Sequence, residues 1–167
     1  MTARRVRERI TRGPGSQLWA ARERPDYDGP LLLDTHIWIW MLEGDSDRLG
    51  RAIVSLLDRA AARTRLAVSD VSFWEVGLKT ASRKLVLSRD TAIWLERAER
   101  APGVVYLPLD RPTLVQSTRL GGTLHGDPAD RMLIVTAQRR EIPLVTADGN
   151  IIEYAARVRG VPVCDAR

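Results

Sequence analysis

Five acidic residues lie where the apolar pattern predicts either the carboxyl end of a strand or the early turns of a helix. They are Asp34, Glu75, Asp127, Asp130 and Asp148. In a parallel α/β sheet, strand ends and helix N-termini meet at one edge, and such proteins bind their ligands there. Carboxylates gathered at that edge repel one another unless a cation lies between them. Because Mg²⁺ and Mn²⁺ prefer carboxylate oxygens, the spacing predicts a divalent metal site.

Taken singly, most of these acids also have an ordinary structural explanation. Asp34 and Asp127 suit the N-cap of the helix that follows each of them, and Pro128 would then stand at N1. Asp130 would suit the dipole of the same helix, and Asp148 an ordinary turn. These structural explanations do not account for the acids occurring together, because a structural protein gains nothing from crowding like charges at one edge of the sheet.

Glu75 has two structural alternatives of its own. It could close a capping box that begins at Ser72, or it could pair with Lys79 one helical turn further on. Neither alternative excludes a ligand role for this carboxylate.

A metal held by acids, with no glycine loop for phosphates, indicates phosphodiester hydrolysis. The sequence contains neither GxxxxGK[ST] nor GxGxxG, so nucleotide-cradling folds find no support. An acid-held ion can orient and acidify a water molecule and stabilise the charge of the transition state. Zinc is disfavoured because the chain has only two histidines and one cysteine, in no cluster.

Short apolar runs alternate with helical patterns, which predicts a parallel sheet covered by helices on both faces. The predicted strands are residues 31–33, 66–69, 104–107, 142–146 and 161–163, the last at a sheet edge because it contains Pro162. One predicted helix begins at residue 35, and the others cover 47–64, 71–83, 91–100, 111–120, 127–140 and 150–157.

Length and composition indicate a single globular domain with a short extension. Residues 30–167 carry the periodic pattern, whereas residues 1–29 lack it and are expected to form a basic, flexible arm outside the core. The net charge of +5 favours an acidic partner, and +3 of it falls in residues 1–30. The chain has no apolar run of membrane-spanning length and no apolar segment after its N-terminal arginines, so neither a membrane helix nor a secretory signal is expected. Its single cysteine, Cys164, excludes an intrachain disulfide, so we expect a reducing, cytoplasmic setting.

Four segments in this order resemble the PIN domain, and within it the VapC-type ribonuclease toxins of type II toxin–antitoxin pairs. The segments are LLLDTHIWIW, AVSDVSFWEVGLKTASRKLVL, LHGDPADRMLIVTAQ and IPLVTAD, and the resemblance spans nearly all of residues 31–163. It implies an α/β fold, a PIN-like three-layer α/β/α sandwich with a parallel sheet of four or five strands. It also implies a Mg²⁺- or Mn²⁺-dependent endoribonuclease that is inhibited by a cognate antitoxin protein and forms a homodimer.

The resemblance assigns roles to particular residues. The catalytic, metal-holding set would be Asp34, Glu75, Asp130 and Asp148. Thr35 and Thr146 could support these carboxylates by hydrogen bonding, and Asp127, chiefly a helix cap, could also support the metal site. Candidate phosphate contacts are Lys79 and Arg131. His36 and His125 could be general bases, but the family's chemistry resembles metal-activated water, so they are left outside the set.

Two other functions remain open on the sequence. A PIN-like nuclease could act in RNA maturation or on structured DNA instead of serving as a toxin. A non-catalytic RNA-binding module could use the same fold, although a module that binds polyanions gains nothing from four acids.

Overall fold

A computed structural model describes residues 18–121, 124 and 126–167 of the chain. Its strands are β1 (Leu18–Ala20), β2 (Leu31–Leu33), β3 (Leu66–Ser69), β4 (Val104–Leu107), β5 (Leu144–Thr146) and β6 (Val163–Asp165). Its α-helices are α1 (Thr35–Glu43), α2 (Arg51–Ala62), α3 (Asp70–Ala81), α4 (Thr91–Glu99), α5 (Arg111–Ser117), α6 (Pro128–Arg140) and α7 (Gly149–Arg157). Two 3₁₀ turns, Ala21–Glu23 and Ser46–Arg48, complete the described elements.

All neighbouring strands pair in parallel, in the order β1-β6-β5-β2-β3-β4. The middle strands are continuous apolar runs because both faces of the sheet are covered, as in β2, where all three leucines are fully buried. Leu31 and Leu33 pack on the face that carries α1 and α2, whereas Leu32 packs on the face of α6 and α7. The expected α/β/α sandwich is therefore confirmed, with two cores separated by the sheet.

The described residues form six strands, whereas the sequence pattern predicts four or five. The added strand is β1, which pairs with β6 through Leu18 to Val163 and Ala20 to Asp165. Trp19, between them, is only 4% exposed. The expectation that residues 18–20 belong to an arm outside the core is thus wrong, because burial of Trp19 and the strand ladder attach this segment to the sheet. Residues 1–17 of that arm lie outside the described part of the chain.

The prediction that the last strand lies at a sheet edge is also wrong. β6 lies between β5 and β1. Pro162 precedes the strand instead of interrupting it, and its carbonyl oxygen accepts a hydrogen bond from the Leu144 amide at 2.9 Å. Pro162 thus contributes its carbonyl oxygen to the pairing with β5, although it has no N–H to donate.

In the part of the chain that the structure describes, none of the helices combines the length and the apolar character of a membrane span.

Candidate active site

Asp34 lies where β2 passes into α1, beside the neighbouring strand β5. Its backbone amide continues the ladder to the Val145 carbonyl at 3.0 Å. Asp34 occupies the N-cap position of α1, but its side chain makes no capping hydrogen bond. Instead Oδ2 accepts from the Thr146 hydroxyl at 2.6 Å, and Oδ1 lies 3.2 Å from His36 Nδ1. The carboxylate is therefore turned towards the strand ends, and helix capping does not explain it.

Glu75 lies inside α3, and its side chain is directed towards the start of α1. The cap of α3 is Ser69, whose hydroxyl accepts from the Val71 amide, so a capping box at Ser72 is wrong. Glu75 Oε2 accepts from the Thr35 hydroxyl at 2.5 Å. Its Oε1 forms an ion pair with Lys79, which confirms that alternative. With 4% exposure, Glu75 is a buried acid with one cationic partner.

The start of α6 brings two acids with different surroundings. Asp127 is the N-cap, and its Oδ1 accepts from the Ala129 amide at 2.9 Å, which confirms the capping role. Asp130 is in the first turn and partly buried, and within the described residues no group hydrogen-bonds or ion-pairs with its carboxylate. Of the five candidate acids, Asp130 is therefore the one without a hydrogen-bond or ion-pair partner among the described residues.

Asp148 is the N-cap of α7. Its Oδ1 accepts from the Asn150 amide at 2.7 Å and the Ile151 amide at 3.2 Å. The Asp148 amide in turn donates to the Thr146 hydroxyl oxygen at 2.9 Å. Thr146 therefore links Asp34 to the turn that carries Asp148, which is the supporting contact that the sequence predicted for this threonine.

The pKa values show that the acids influence one another. Burial, followed by the charges of Asp34, Asp127, Asp148 and Glu75, raises the pKa of Asp130 to about 7. Burial would also raise the pKa of Asp34, but hydrogen bonds from His36 and Thr146 hold it below its ordinary value. Both its burial and the neighbouring carboxylates therefore favour the protonated form of Asp130.

Lys79 brings a cation to these carboxylates through its ion pair with Glu75. Burial would lower the pKa of Lys79, but the hydrogen bond to Glu75 and the charges of Glu75, Asp127 and Asp130 raise it. The ammonium group therefore stays charged and lies in the field of three acids. Arg131, the other predicted phosphate contact, donates from Nε to the Ser117 carbonyl and from Nη2 to the Leu120 carbonyl. Its guanidinium ties α6 to the end of α5.

Two residues near the acids were not assigned this role from the sequence. The Ser72 hydroxyl lies 3.0 Å from Thr35 Oγ1 and so supports the threonine that holds Glu75. His36 Nε2 accepts from the Ala147 amide at 3.0 Å, and the neutral imidazole with its proton on Nδ1 suits both of its contacts. Burial would lower the pKa of His36, but Asp34, Asp148 and Glu75 raise it. The Ala147 amide acts in the opposite sense, because it donates to Nε2 and so requires the neutral ring. In the sequence, the only signal for the contact between His36 and Asp34 is that Thr35 and His36 directly follow Asp34.

The carboxylates share one edge of the sheet but do not yet form a ligand cage. Within residues 18–121, 124 and 126–167, no three His, Cys, Asp or Glu side chains form a group ready to hold a metal ion. Oxygens of Glu75, Asp34 and Asp148 are engaged by Thr35, Lys79, Thr146 and the backbone of α7. A cation would displace Lys79 from Glu75, whereas the hydrogen bonds from Thr35 and Thr146 leave carboxylate lone pairs available to it. His125, the second histidine of the sequence analysis, lies outside the described residues.

Comparison with known proteins identifies the family. The sequence-family model of the PIN domain matches residues 31–157 of the chain. Ribonuclease VapC22 of Mycobacterium tuberculosis is 30% identical over 119 residues, which cover 71% of this chain and 86% of that protein.

Solved structures resemble the fold at low sequence identity. VapBC2 from Rickettsia felis, bound to a DNA fragment from its promoter, superposes with a TM-score of 0.59 at 14% identity, covering 82% of this chain and 98% of that one. DNA-bound VapBC from Salmonella typhimurium gives 0.56 at 17% identity, covering 83% and 98%. Because the family model covers most of the chain and the predicted acids lie on its strand-end edge, the protein belongs to the PIN domain family.

Proposed function

We propose that this protein is a VapC-type toxin of a type II toxin–antitoxin system, acting as a Mg²⁺- or Mn²⁺-dependent endoribonuclease. The observation that carries the proposal is that the charges of Asp34, Glu75 and Asp148 act on the partly buried carboxyl group of Asp130 in a PIN domain. The 30% identity to a protein named Ribonuclease VapC22 supports RNA as the substrate class. An RNA substrate also suits a cytoplasmic location.

The donor chemistry of these four acids fits a hard divalent cation. All the candidate ligands offer carboxylate oxygens, and burial together with the charges of the neighbouring acids raises the pKa of Asp130 to about 7. Asp34, Glu75, Asp130 and Asp148 would hold the ion. When bound, a divalent ion supplies an acidified water and compensates charge on the phosphate.

The remaining polar residues orient this acid set. Thr146 fixes one oxygen of Asp34, and Thr35 fixes one oxygen of Glu75. Lys79 balances Glu75 until a cation replaces it, and its ammonium group is then available to an RNA phosphate. Attack by water, with no role for the ribose 2′-hydroxyl, would leave a 3′-hydroxyl and a 5′-phosphate.

Two protein partners belong to the proposal. The structural neighbours include VapBC complexes, which favours a cognate antitoxin for this chain as well. A homodimer is supported by apolar side chains that remain exposed on α3: Trp74 is 52% and Leu78 is 51% exposed, one turn apart. Leu78→Glu should convert the dimer to a monomer in light scattering, whereas Val86→Glu, at a residue 90% exposed in a loop, should not.

The decisive experiment compares cleavage of total RNA by the wild type and by Asp34→Asn, with Mg²⁺ or Mn²⁺ present. Asparagine keeps the shape of the side chain but removes a charge from the site, so we expect cleavage to fall at least about 100-fold. EDTA should abolish the wild-type activity. Equal cleavage by both proteins would identify a contaminating nuclease. Binding of RNA without cleavage by the wild type would instead favour the non-catalytic module.

A cleavage assay on structured DNA separates the remaining alternative. Preference for structured DNA over RNA would favour a PIN-like nuclease outside toxin–antitoxin systems. Capture of a small protein encoded beside the gene, with loss of RNA cleavage in the complex, would support the toxin assignment.

A further inference from the structure

His36 contacts both parts of the site that must be held in register, namely Asp34 at the end of β2 and the turn after β5. Its Nδ1 lies 3.2 Å from Asp34 Oδ1, and its Nε2 accepts from the Ala147 amide at 3.0 Å. The two contacts require different things of the ring: a proton on Nδ1 and a lone pair on Nε2. The neutral Nδ1–H imidazole meets both requirements at once.

The same two parts of the site are linked a second time by Thr146. Its hydroxyl donates to Asp34 Oδ2 at 2.6 Å and accepts from the Asp148 amide at 2.9 Å. Each oxygen of Asp34 is thus bound to a side chain that also holds a backbone amide of the turn. The two amides, of Ala147 and Asp148, are consecutive, so the links through His36 and Thr146 run side by side.

Packing fixes the imidazole in this bridging position. His36 and Trp40 lie one turn apart on α1, with their rings edge to face at a centroid distance of 4.8 Å. Arg48 covers the Trp40 ring, with its guanidinium carbon 5.5 Å from the ring centroid. The His36 side chain is 28% exposed, and its two ring nitrogens are both engaged within the protein.

We propose that His36 is a positioning residue, which holds the Asp34 carboxylate at a fixed distance from the turn that carries Asp148. The inference rests on the proposed metal-dependent function, since Asp34 and Asp148 are two of its candidate ligands. Two carboxylates on different strands bind one ion well only when their separation is set before the ion arrives, because ordering them afterwards costs affinity. This role differs from that of a general base, which would need a free ring nitrogen facing the substrate.

Four substitutions separate the contributions of the ring. His36→Phe keeps an aromatic ring against Trp40 but removes both hydrogen bonds. His36→Asn retains a donor that can reach Asp34, and His36→Gln retains an acceptor that can reach the Ala147 amide. His36→Ala removes the ring and both bonds. If His36 acts only by packing, His36→Phe should keep the Mn²⁺ affinity that His36→Ala loses. If His36 positions Asp34, both variants should lose Mn²⁺ affinity.

The first measurement needs no metal and no RNA. Amide hydrogen exchange reports the Ala147 hydrogen bond directly. In the metal-free protein, His36→Phe and His36→Asn should raise exchange at Ala147, whereas His36→Gln should keep most of the protection. Unchanged exchange at Ala147 in His36→Phe would overturn the inference. Melting temperatures identify any variant that has lost its fold, and the Asn and Gln variants then provide the comparison.

The second measurement is Mn²⁺ binding to the protein alone, by titration calorimetry. Removal of a hydrogen-bond partner of a metal ligand typically weakens binding about 10- to 100-fold, and we expect His36→Phe to fall in this range. Under saturating Mn²⁺, the same variant should lower kcat for RNA cleavage with little change in KM. Wild-type Mn²⁺ affinity in His36→Phe would contradict positioning. If the wild type neither binds Mn²⁺ nor cleaves RNA, the proposed function fails, and hydrogen exchange still reports whether the His36 bridge exists.

Discussion

Thr146 and Asp34 are joined by a 2.6 Å hydrogen bond although they lie 112 positions apart in the chain. The contact exists because β2 and β5 are adjacent parallel strands, paired through Leu33 and Val145, so that the next residues on each strand meet. Parallel pairing therefore brings the acid of the first motif to the threonine of the last. It also places both at the carboxyl ends of their strands, where α/β proteins bind ligands.

Thr146→Val is expected to weaken both the fold and the metal site. Valine keeps the shape but removes the donor to Asp34 and the acceptor of the Asp148 amide. Because these buried groups then lack a partner, we expect a loss of about 1–3 kcal/mol in the free energy of unfolding. Mn²⁺ affinity should fall about 10-fold, measured by calorimetry on the folded protein.

The matched control for this substitution is Thr136→Val. Thr136 is also buried, but its hydroxyl donates to the Met132 carbonyl inside α6, away from the acids that Thr146 contacts. Thr136→Val should therefore leave the Mn²⁺ affinity unchanged. An equal loss of affinity in both variants would mean that the effect arises from general destabilisation.

Much of this site was predictable because its residues stand at the ends of regular elements. A run of three leucines followed by an acid, or a proline after an N-cap, limits the local backbone strongly, and Asp34 and Asp127 lie where those patterns placed them. Partners contributed by distant segments were harder to predict. The Lys79–Glu75 pair follows helix periodicity, whereas the contact of His36 with Ala147 depends on the packing of α1 beside β5.

The part of the fold that was not predictable is β1. Three residues, Leu18–Ala20, are too few for a periodic pattern, and the glycines and prolines around them resemble those of a linker. Their strand character comes from pairing with β6, which only the tertiary structure provides. Once β1 is present, β6 can no longer be an edge strand, so both corrections to the predicted sheet have the same cause.

The metal-free protein should lose stability as the pH rises from about 4 to 7. The pKa of Asp130 is raised from 3.8 to about 7 in the folded chain. Within this window the folded chain therefore keeps a proton that the unfolded chain has released. Protonated Asp130 therefore adds to the free energy of unfolding at low pH, and this contribution is lost as the pH rises through the folded-state pKa. Urea unfolding in EDTA across this range would measure the slope.

Asp130→Asn provides the test of this assignment. The amide cannot ionise, so the slope between pH 4 and 7 should become smaller. At pH 8 without metal, the variant should be more stable than the wild type by on the order of 2 kcal/mol, less than the full pKa displacement would give because the group is partly exposed. Identical pH profiles for the two proteins would show that Asp130 is not the group responsible.

Lys79→Met is expected to change metal binding and RNA cleavage in opposite directions. In the wild type, the ammonium group pairs with Glu75 and lies in the field of Asp127 and Asp130, so it competes with any cation there. Its removal should make Mn²⁺ bind several-fold more tightly. Cleavage at saturating Mn²⁺ should nevertheless become slower, and less sensitive to salt, because a contact to the RNA phosphate is lost.

Lys84→Met is the control, since Lys84 is an exposed lysine beyond the end of α3. It should change neither Mn²⁺ affinity nor the rate. If Lys79→Met bound Mn²⁺ more weakly than the wild type, the ammonium group would be supporting Glu75 in the metal-bound state, and competition would be the wrong description.

Trp19→Ala should destabilise the whole domain if β1 is an integral strand. Trp19 is 4% exposed, its ring lies 5.0 Å from that of Tyr27, and it packs with the core that includes Cys164 and Ala166. Removing a buried tryptophan of this kind costs about 3–5 kcal/mol, and urea unfolding should show a single transition at a lower midpoint. Val86→Ala, at a residue 90% exposed, should change the midpoint little. A wild-type midpoint for Trp19→Ala would mean that the domain is stable without β1, and that residues 18–20 behave as the arm that the sequence first suggested.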